Sequence, residues 1–285
     1  MTAAVSPVRY DTCDFPGSFA CRPGWPCESG SGFMQWVAFD AVGTLIFPDP
    51  PADVAYFEAA QRFGSRLSRA EIAVRFSRAF RDAEKLGVVA GSAAHQSLVG
   101  APYATSERDE IEKWRFIVSR VIDDAAEPAT CFDELFAHFA RPGSWRCCAD
   151  APAVLTTLRA AGCRLALASN FDGRLHTICD SLPLLRSMDL CVISSEVGWR
   201  KPSPRFYEEL LKRANCLPHE MLMVGDDFIN DVSGAQSAGL AAIWLNTRAP
   251  AGGEYVITRL SELPAAIAAL GQRTTRQSQS GGSAP

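Results

Sequence analysis

Asp40, Lys201, Asp226 and Asp231 are residues around which chemistry can be built. Asp40 ends a short apolar run, 35–39, and Gly43 and Thr44 follow it. A carboxylate so placed can attack an electrophile and form a covalent intermediate. A glycine turn brings backbone N–H groups near the attacked group, and the small hydroxyls of Thr44 and Ser169 add donors. Ser169 and Asn170 close a second apolar run. Lys201 supplies a fixed positive charge against an anionic substrate and crowded carboxylates. Asp226, Asp227 and Asp231 follow a later apolar run, so that Asp226 and Asp231 can face one oxygen-ligated cation across a strand-to-helix turn. Mg²⁺ favours a few carboxylates together with waters and substrate oxygens. It would neutralise charge on a transferring phosphoryl group. Singly, each group has a plainer use. Asp40 and the Asp226–Asp231 cluster can cap helices, Ser169–Asn170 can mark a turn, and Lys201 before Pro202 can be a solvated loop residue. In this order, at successive strand ends, they read as one site.

The elements that would position them alternate. Residues 35–39 (QWVAF) predict a buried strand, with Pro48, Pro50 and Pro51 stopping its continuation. From about 150, helices over 151–161, 172–182, 203–214, 230–238 and 260–270 alternate with strands over 164–169, 188–193, 220–224 and 241–245. Such alternation predicts an α/β fold with a parallel sheet covered on both faces. Ligands in open α/β sheets bind at the carboxyl ends of the strands, where the four polar groups fall. Residues 52–140 carry helical periodicity instead, with Tyr56, Phe57, Ala60 and Phe63 in one stripe and Ile111, Trp114, Ile117 and Val121 in another. Phe76 and Phe80 belong to a third stripe, and Phe132, Leu135, Phe136 and Phe139 to a fourth. Breaks at Gly87, Gly91, Gly100 and Pro102 separate four or five helices. Aromatic stripes of this kind read as core. The expected organisation is a core over 34–50 and 150–271, a helical insert over 51–149 and a disordered polar tail over 272–285. Residues 1–33, rich in Pro, Gly, Ser and Cys, read as a disordered extension, or as sequence upstream of a true start at Met34.

Composition narrows the function classes. The 285 residues are 47% hydrophobic and 21% charged, enough to bury a core in both parts. A net charge of −4 favours neither nucleic acid nor an anionic membrane as partner, so an anion site must be built locally for a small-molecule anionic substrate. No apolar run reaches the roughly 18–20 residues of a membrane span. The N-terminal stretch has no apolar signal-peptide region, and a cytoplasmic setting is expected. The ten cysteines are read as thiols. Cys163, Cys179 and Cys191 sit in core-like contexts, and Cys13, Cys21 and Cys27 lack CxxC spacing or a nearby His. Oligomeric state is not set by the sequence.

Four motifs in order carry a family resemblance: VAFDAVGTL (37–45), ALASN (166–170), VGWRKPSPRFY (197–207) and VGDDFINDVSGAQSAG (224–239). Over residues 35–247 the sequence resembles the haloacid-dehalogenase-like (HAD) hydrolases. The flavour is similar to their hydrolase-domain-containing branch of uncertain substrate. The resemblance implies a Rossmann-like core, a type-one helical cap after the first strand, an aspartyl-enzyme intermediate and Mg²⁺. It implies a metal held by Asp40, the backbone carbonyl of Val42 and Asp226, supported by Asp231 or Asp227. Asp40, Thr44, Ser169, Asn170 and Lys201 are the catalytic set it implies.

One departure matters. The family's phosphatases carry a second Asp two residues after the nucleophile, as general acid/base, and Val42 stands there. Valine transfers no proton, and such help is worth about 10²–10⁴-fold. A leaving group of low pKa would need no acid. Asp172 is one substitute; its alternative use is to cap the following helix. The leading expectation is a Mg²⁺-dependent phosphohydrolase acting on a small phosphorylated metabolite. A 2-haloacid dehalogenase also resembles the DAVGTL stretch and Tyr207, but Asp226 and Asp227 would repel a haloacid unless a cation balances them. A phosphonoacetaldehyde-hydrolase-like reaction needs a cap lysine, and Lys85 and Lys113 both read as solvated helix faces. A binding or regulatory protein that has lost turnover is the remaining alternative.

Overall fold

A computed structural model describes residues 34–86, 103–249 and 255–270. The expectations for 1–33, 272–285, Cys13, Cys21, Cys27 and the breaks at 87–102 lie outside the described residues. The side chain of Lys85 lies outside them as well.

In chain order, β1 (Trp36–Phe39) leads to a tight turn and a short β2 (Ile46–Pro48). Four helices follow: α1 (Ala52–Arg62), α2 (Arg69–Leu86), α3 (Glu107–Val121) and α4 (Pro128–His138). Then come β3 (Trp145–Cys147), α5 (Ala151–Ala160), β4 (Arg164–Ser169), α6 (Arg174–Ser181), α7 (Pro183–Arg186), β5 (Leu190–Ile193), α8 (Ser194–Val197) and α9 (Pro204–Ala214). The chain closes through β6 (Met221–Gly225), a wide π-helical turn at Phe228–Ser233, α10 (Gly234–Ser237), β7 (Ala241–Leu245), β8 (Val256–Ile257) and a helix over 263–270.

Six strands form one parallel sheet in the order β5-β4-β1-β6-β7-β8. β1 lies at its centre, with Phe39 opposite Leu167 on one side and Val224 on the other. Strand side chains alternate between two faces, and here both faces are dry. Val37, Phe39, Leu165, Leu167, Leu222 and Val224 enter one core, against α5, α6 and the 263–270 helix. Trp36, Ala38, Ala166, Ala168, Met221 and Met223 enter the other, against α9 and α10. Burial on both sides explains why the central strands read as continuous apolar runs. The α/β class and parallel sheet stand as expected.

The α1–α4 helices make a separate core of their own, built on Tyr56, Ile72, Ile117, Val121, Phe132 and Leu135. The antiparallel β2–β3 pair was not expected. It sets Ile46 beside Cys147 and Pro48 beside Trp145, so the two chain crossings between sheet and insert run side by side. Strands this short carry no periodic signal.

Candidate active site

The strand ends gather the carboxylates. Asp40 follows β1 and donates its N–H to the Val224 carbonyl at 2.9 Å, which registers it against the end of β6. Asp226 and Asp231 follow β6 itself. Asp40, Asp226 and Asp231 each offer an oxygen within 4.8 Å of the others. Two glycines make this approach possible. Gly43 has φ +99°, and a Cβ there would stand 2.4 Å from Asp226 Oδ2. A Cβ on Gly225 would stand 2.1 Å from Asp231 Oδ2. The turn at Gly43 was legible in the sequence, but the requirement at Gly225 was hidden, since it depends on Asp231 folding back.

Lys201 is the charge that holds the cluster. It is 2% exposed, and its Nζ donates to Asp40 Oδ1 at 2.8 Å, Asp231 Oδ1 at 2.6 Å and the Ala168 carbonyl at 2.8 Å. Burial opposes its charge, but Asp231 and Asp40 outweigh it and hold the ammonium well above its ordinary pKa. Asn170 fixes the lysine's backbone. Its Nδ2 donates to the Lys201 carbonyl at 2.9 Å, and the Lys201 N–H donates to its Oδ1 at 2.8 Å. Ser169 lies on the cavity wall with Asn170. Thr44 is fully buried, and its hydroxyl reaches Asp226 Oδ1 at 3.4 Å.

Three carboxylates thus share one ammonium, and their acidities show the imbalance. Burial, then the neighbouring Asp231 charge, pushes Asp226 up to about 6. Asp40 is also raised, by burial against the pull of Lys201, with Asp226 adding to the rise. The all-oxygen donor set and the missing positive charge fit a hard divalent cation such as Mg²⁺. Asp231 has both oxygens engaged, one by Lys201 and one by the Asp227 N–H at 3.1 Å. Asp227 caps the π-helical turn by accepting from the Ile229 and Asn230 N–H groups, each at 2.9 Å. Tyr207 is fully buried and its hydroxyl donates to the Asn230 carbonyl, bracing the same turn.

This cluster floors a cavity of about 370 Å³ that runs up between the sheet and the helical insert. Tyr56, Phe76, Phe80, Trp114, Phe136 and Phe139 are among its walls. The aromatic stripes are therefore only partly core; periodicity marks an inward face without telling core from cavity. Val42 also lines the cavity.

One sequence expectation changes here, and one alternative is decided. Lys113 is not solvated but 4% exposed, pairing with Glu110 at 2.5 Å. Glu110 lies one helical turn before it on the same face, and Glu84 and Arg200 close the group. Asp172 is 1% exposed, with Arg174 Nε and Nη2 each 2.7 Å from its two oxygens. It also accepts the Arg174 N–H at 3.1 Å, so the capping alternative describes its place. It is absent from the cavity lining among the described residues.

A family model of haloacid dehalogenase-like hydrolases matches residues 34–239. A haloacid dehalogenase-like hydrolase domain-containing protein 3 from Bos taurus is 26% identical over 211 residues, 73% of this chain and 80% of that protein. A glyceraldehyde 3-phosphate phosphatase from Methanothermobacter thermautotrophicus is 46% identical over 59 residues, 21% of this chain and 26% of that protein. Among solved structures, the HAD-hydrolase YfnB from Bacillus subtilis, bound to magnesium, superposes with a TM-score of 0.62 at 15% identity. That superposition covers 82% of this chain and 99% of the other.

Proposed function

The chain belongs to the haloacid dehalogenase-like hydrolases, and from that premise we propose that it is a Mg²⁺-dependent phosphohydrolase acting on a small phosphorylated metabolite. The observation that carries the reading is the Lys201 ammonium clamped between Asp40 and Asp231, with Asp226 alongside, at the floor of a cavity beneath the helical insert. The phosphatase among the similar proteins points the same way.

Asp40, the Val42 backbone carbonyl and Asp226 would hold the cation, with Asp231 supporting from behind because its oxygens serve Lys201 and Asp227. Bound Mg²⁺ supplies charge neutralisation on the transferring phosphoryl group. The chain's own residues do the rest. Asp40 attacks phosphorus, the bond to the leaving oxygen breaks, and the leaving group departs as its anion. Lys201 steadies the Asp40 carboxylate and faces the phosphoryl oxygens. The Ser169 hydroxyl would donate to the same oxygens, and Asn170 fixes the Lys201 backbone. Thr44 orients Asp226. Water then cleaves the aspartyl phosphate, regenerating the Asp40 carboxylate and releasing dihydrogen phosphate. Helices closing over the cavity would exclude competing water.

A haloacid reading is disfavoured by the third carboxylate, Asp226, which leaves the floor electron-rich. The deciding assay is hydrolysis of p-nitrophenyl phosphate with and without Mg²⁺, beside release of halide from 2-chloropropionate. Mg²⁺-dependent phosphate release, lost by at least about 10³-fold in Asp40→Asn, supports the proposal. Halide release without phosphate release overturns it.

A further inference from the structure

The cavity is larger and more apolar than a phosphoryl group needs, and its upper walls show what else it is shaped for. Phe76 and Phe80 of α2, Trp114 of α3, Phe136 of α4 and Phe139 just beyond α4 face it. Tyr56 packs edge-on against Phe76 at 5.0 Å between centroids, and Phe76 stacks on Phe80 at 6.1 Å. The charged side chains among these walls are paired with one another, though the buried Arg200 Nε makes no hydrogen bond. Lys113 pairs with Glu110, Arg200 with Glu84, and Arg174 with Asp172. The Arg174 guanidinium sits over Phe136, its Cζ 3.7 Å from the ring centroid, and its Nη1 donates to the Phe136 carbonyl at 3.2 Å. A sugar or polyol in this space would have to break ion pairs to find partners for its hydroxyls, and would leave the rings against water. Unmatched polar groups in such a site are costly. An apolar ring would displace that water and stack on walls built for it.

The floor adds a second requirement. Val42 stands on the cavity wall where a proton donor to the leaving group would sit, and Asp172, the nearest alternative in sequence, is locked to Arg174. With neither of these two residues free to give a proton, the site suits a leaving oxygen that departs unprotonated.

Resting on the phosphohydrolase reading, we propose that the substrate's leaving group is both acidic and apolar, of about the size of an arene ring: an aromatic acyl phosphate or an aryl phosphate. The balance is simple. Asp40 displaces the carboxylate or phenolate from phosphorus, the P–O bond electrons leave with that anion, and no proton is transferred in the step. Hydrolysis of aspartyl phosphate by one water then returns Asp40 and releases dihydrogen phosphate.

Two acyl phosphates separate the body from the leaving-group chemistry, since acetate and benzoate are leaving groups of similar acidity. Benzoyl phosphate should exceed acetyl phosphate in kcat/KM by at least about tenfold. Binding supplies a readout independent of turnover. By calorimetry, benzylphosphonate should bind at least about tenfold more tightly than methylphosphonate, and Trp114→Ala and Phe76→Ala should each narrow that ratio. Equal affinities for the two phosphonates, or acetyl phosphate as the better substrate, would overturn the inference. If neither acyl phosphate is hydrolysed, the phosphohydrolase reading fails on its own terms, and the phosphonate ratio still decides what the chamber accepts.

Discussion

At the scale of single residues, the consequential position is the one that cannot do chemistry. Val42 is on the cavity wall, two residues beyond Asp40, and it packs partly against the main core. A carboxyl group there would face the leaving oxygen and could deliver a proton as the bond breaks. Val42→Asp should therefore raise kcat/KM for an alkyl phosphate such as glycerol 3-phosphate by about 10²-fold or more. It should leave acetyl phosphate nearly unchanged, because a carboxylate leaves without a proton. Steady-state kinetics on both substrates check this. An equal rise in the two would mean that position 42 acts through the metal or the fold rather than on the leaving group. The identities of Asp40, Lys201, Asp226 and Asp231 could be read from the sequence because each directly follows a run of strand or sits in an ordered motif. Gly225 could not, since its need appears only when Asp231 folds back over it.

Between elements, the insert is fastened to the sheet through buried charge. The loop before α3 bridges the loop after α8, with the Thr105 N–H donating to the Gly198 carbonyl at 3.0 Å and the Arg200 N–H to the Tyr103 carbonyl at 2.8 Å. Beside it, Glu84 of α2 and Glu110 and Lys113 of α3 meet Arg200, the residue before Lys201. Burial alone would raise the Glu110 carboxyl, but Lys113 and Arg200, with the Thr105 hydroxyl at 2.9 Å, hold it below its ordinary 4.5. A depressed folded-state pKa stabilises the fold above the unfolded value, and that contribution is lost as pH falls below about 4.5 and through the folded value. Glu110→Gln should cost about 3 kcal/mol at neutral pH, since it leaves buried cations short of a partner. Urea titrations from pH 7 to pH 3 would show it, with the variant flatter than wild type below pH 4.5. A loss under 0.5 kcal/mol would show that Glu84 alone balances Lys113 and Arg200. None of this was legible beforehand. A charge-rich stretch such as ERDEIEK looks solvated, and its partner Arg200 is brought in only by the fold. The π-helical turn was likewise read as an ordinary helix over 230–238. Asp227 caps it early, and the wider turn lets Asp231 return to Lys201.

Across the whole molecule, the alternation of apolar runs and helical stretches was enough to give the parallel sheet, because its strands are buried on both faces and its helices follow in sequence. The cavity was not so readable, because it lies between two cores that each look complete in periodicity alone. Its floor joins residues 40, 201, 226 and 231 around a local excess of negative charge, which the proposed cation would balance. Stability should show that trade. Binding only to the folded state, Mg²⁺ at about a hundred times its Kd adds about 2.7 kcal/mol, which for a chain of this size raises Tm by about 5 °C or more. Asp226→Asn removes one of the three carboxylates facing Lys201 and should abolish that rise. In EDTA the same variant should melt no lower than wild type, because it relieves repulsion between Asp226 and Asp231 and keeps an acceptor for the Thr44 hydroxyl. Thermal melts of both proteins in Mg²⁺ and in EDTA form the complete comparison. A variant that melts well below wild type in EDTA would make Asp226 a structural residue of the turn, and one that keeps the Mg²⁺ rise would place the cation elsewhere.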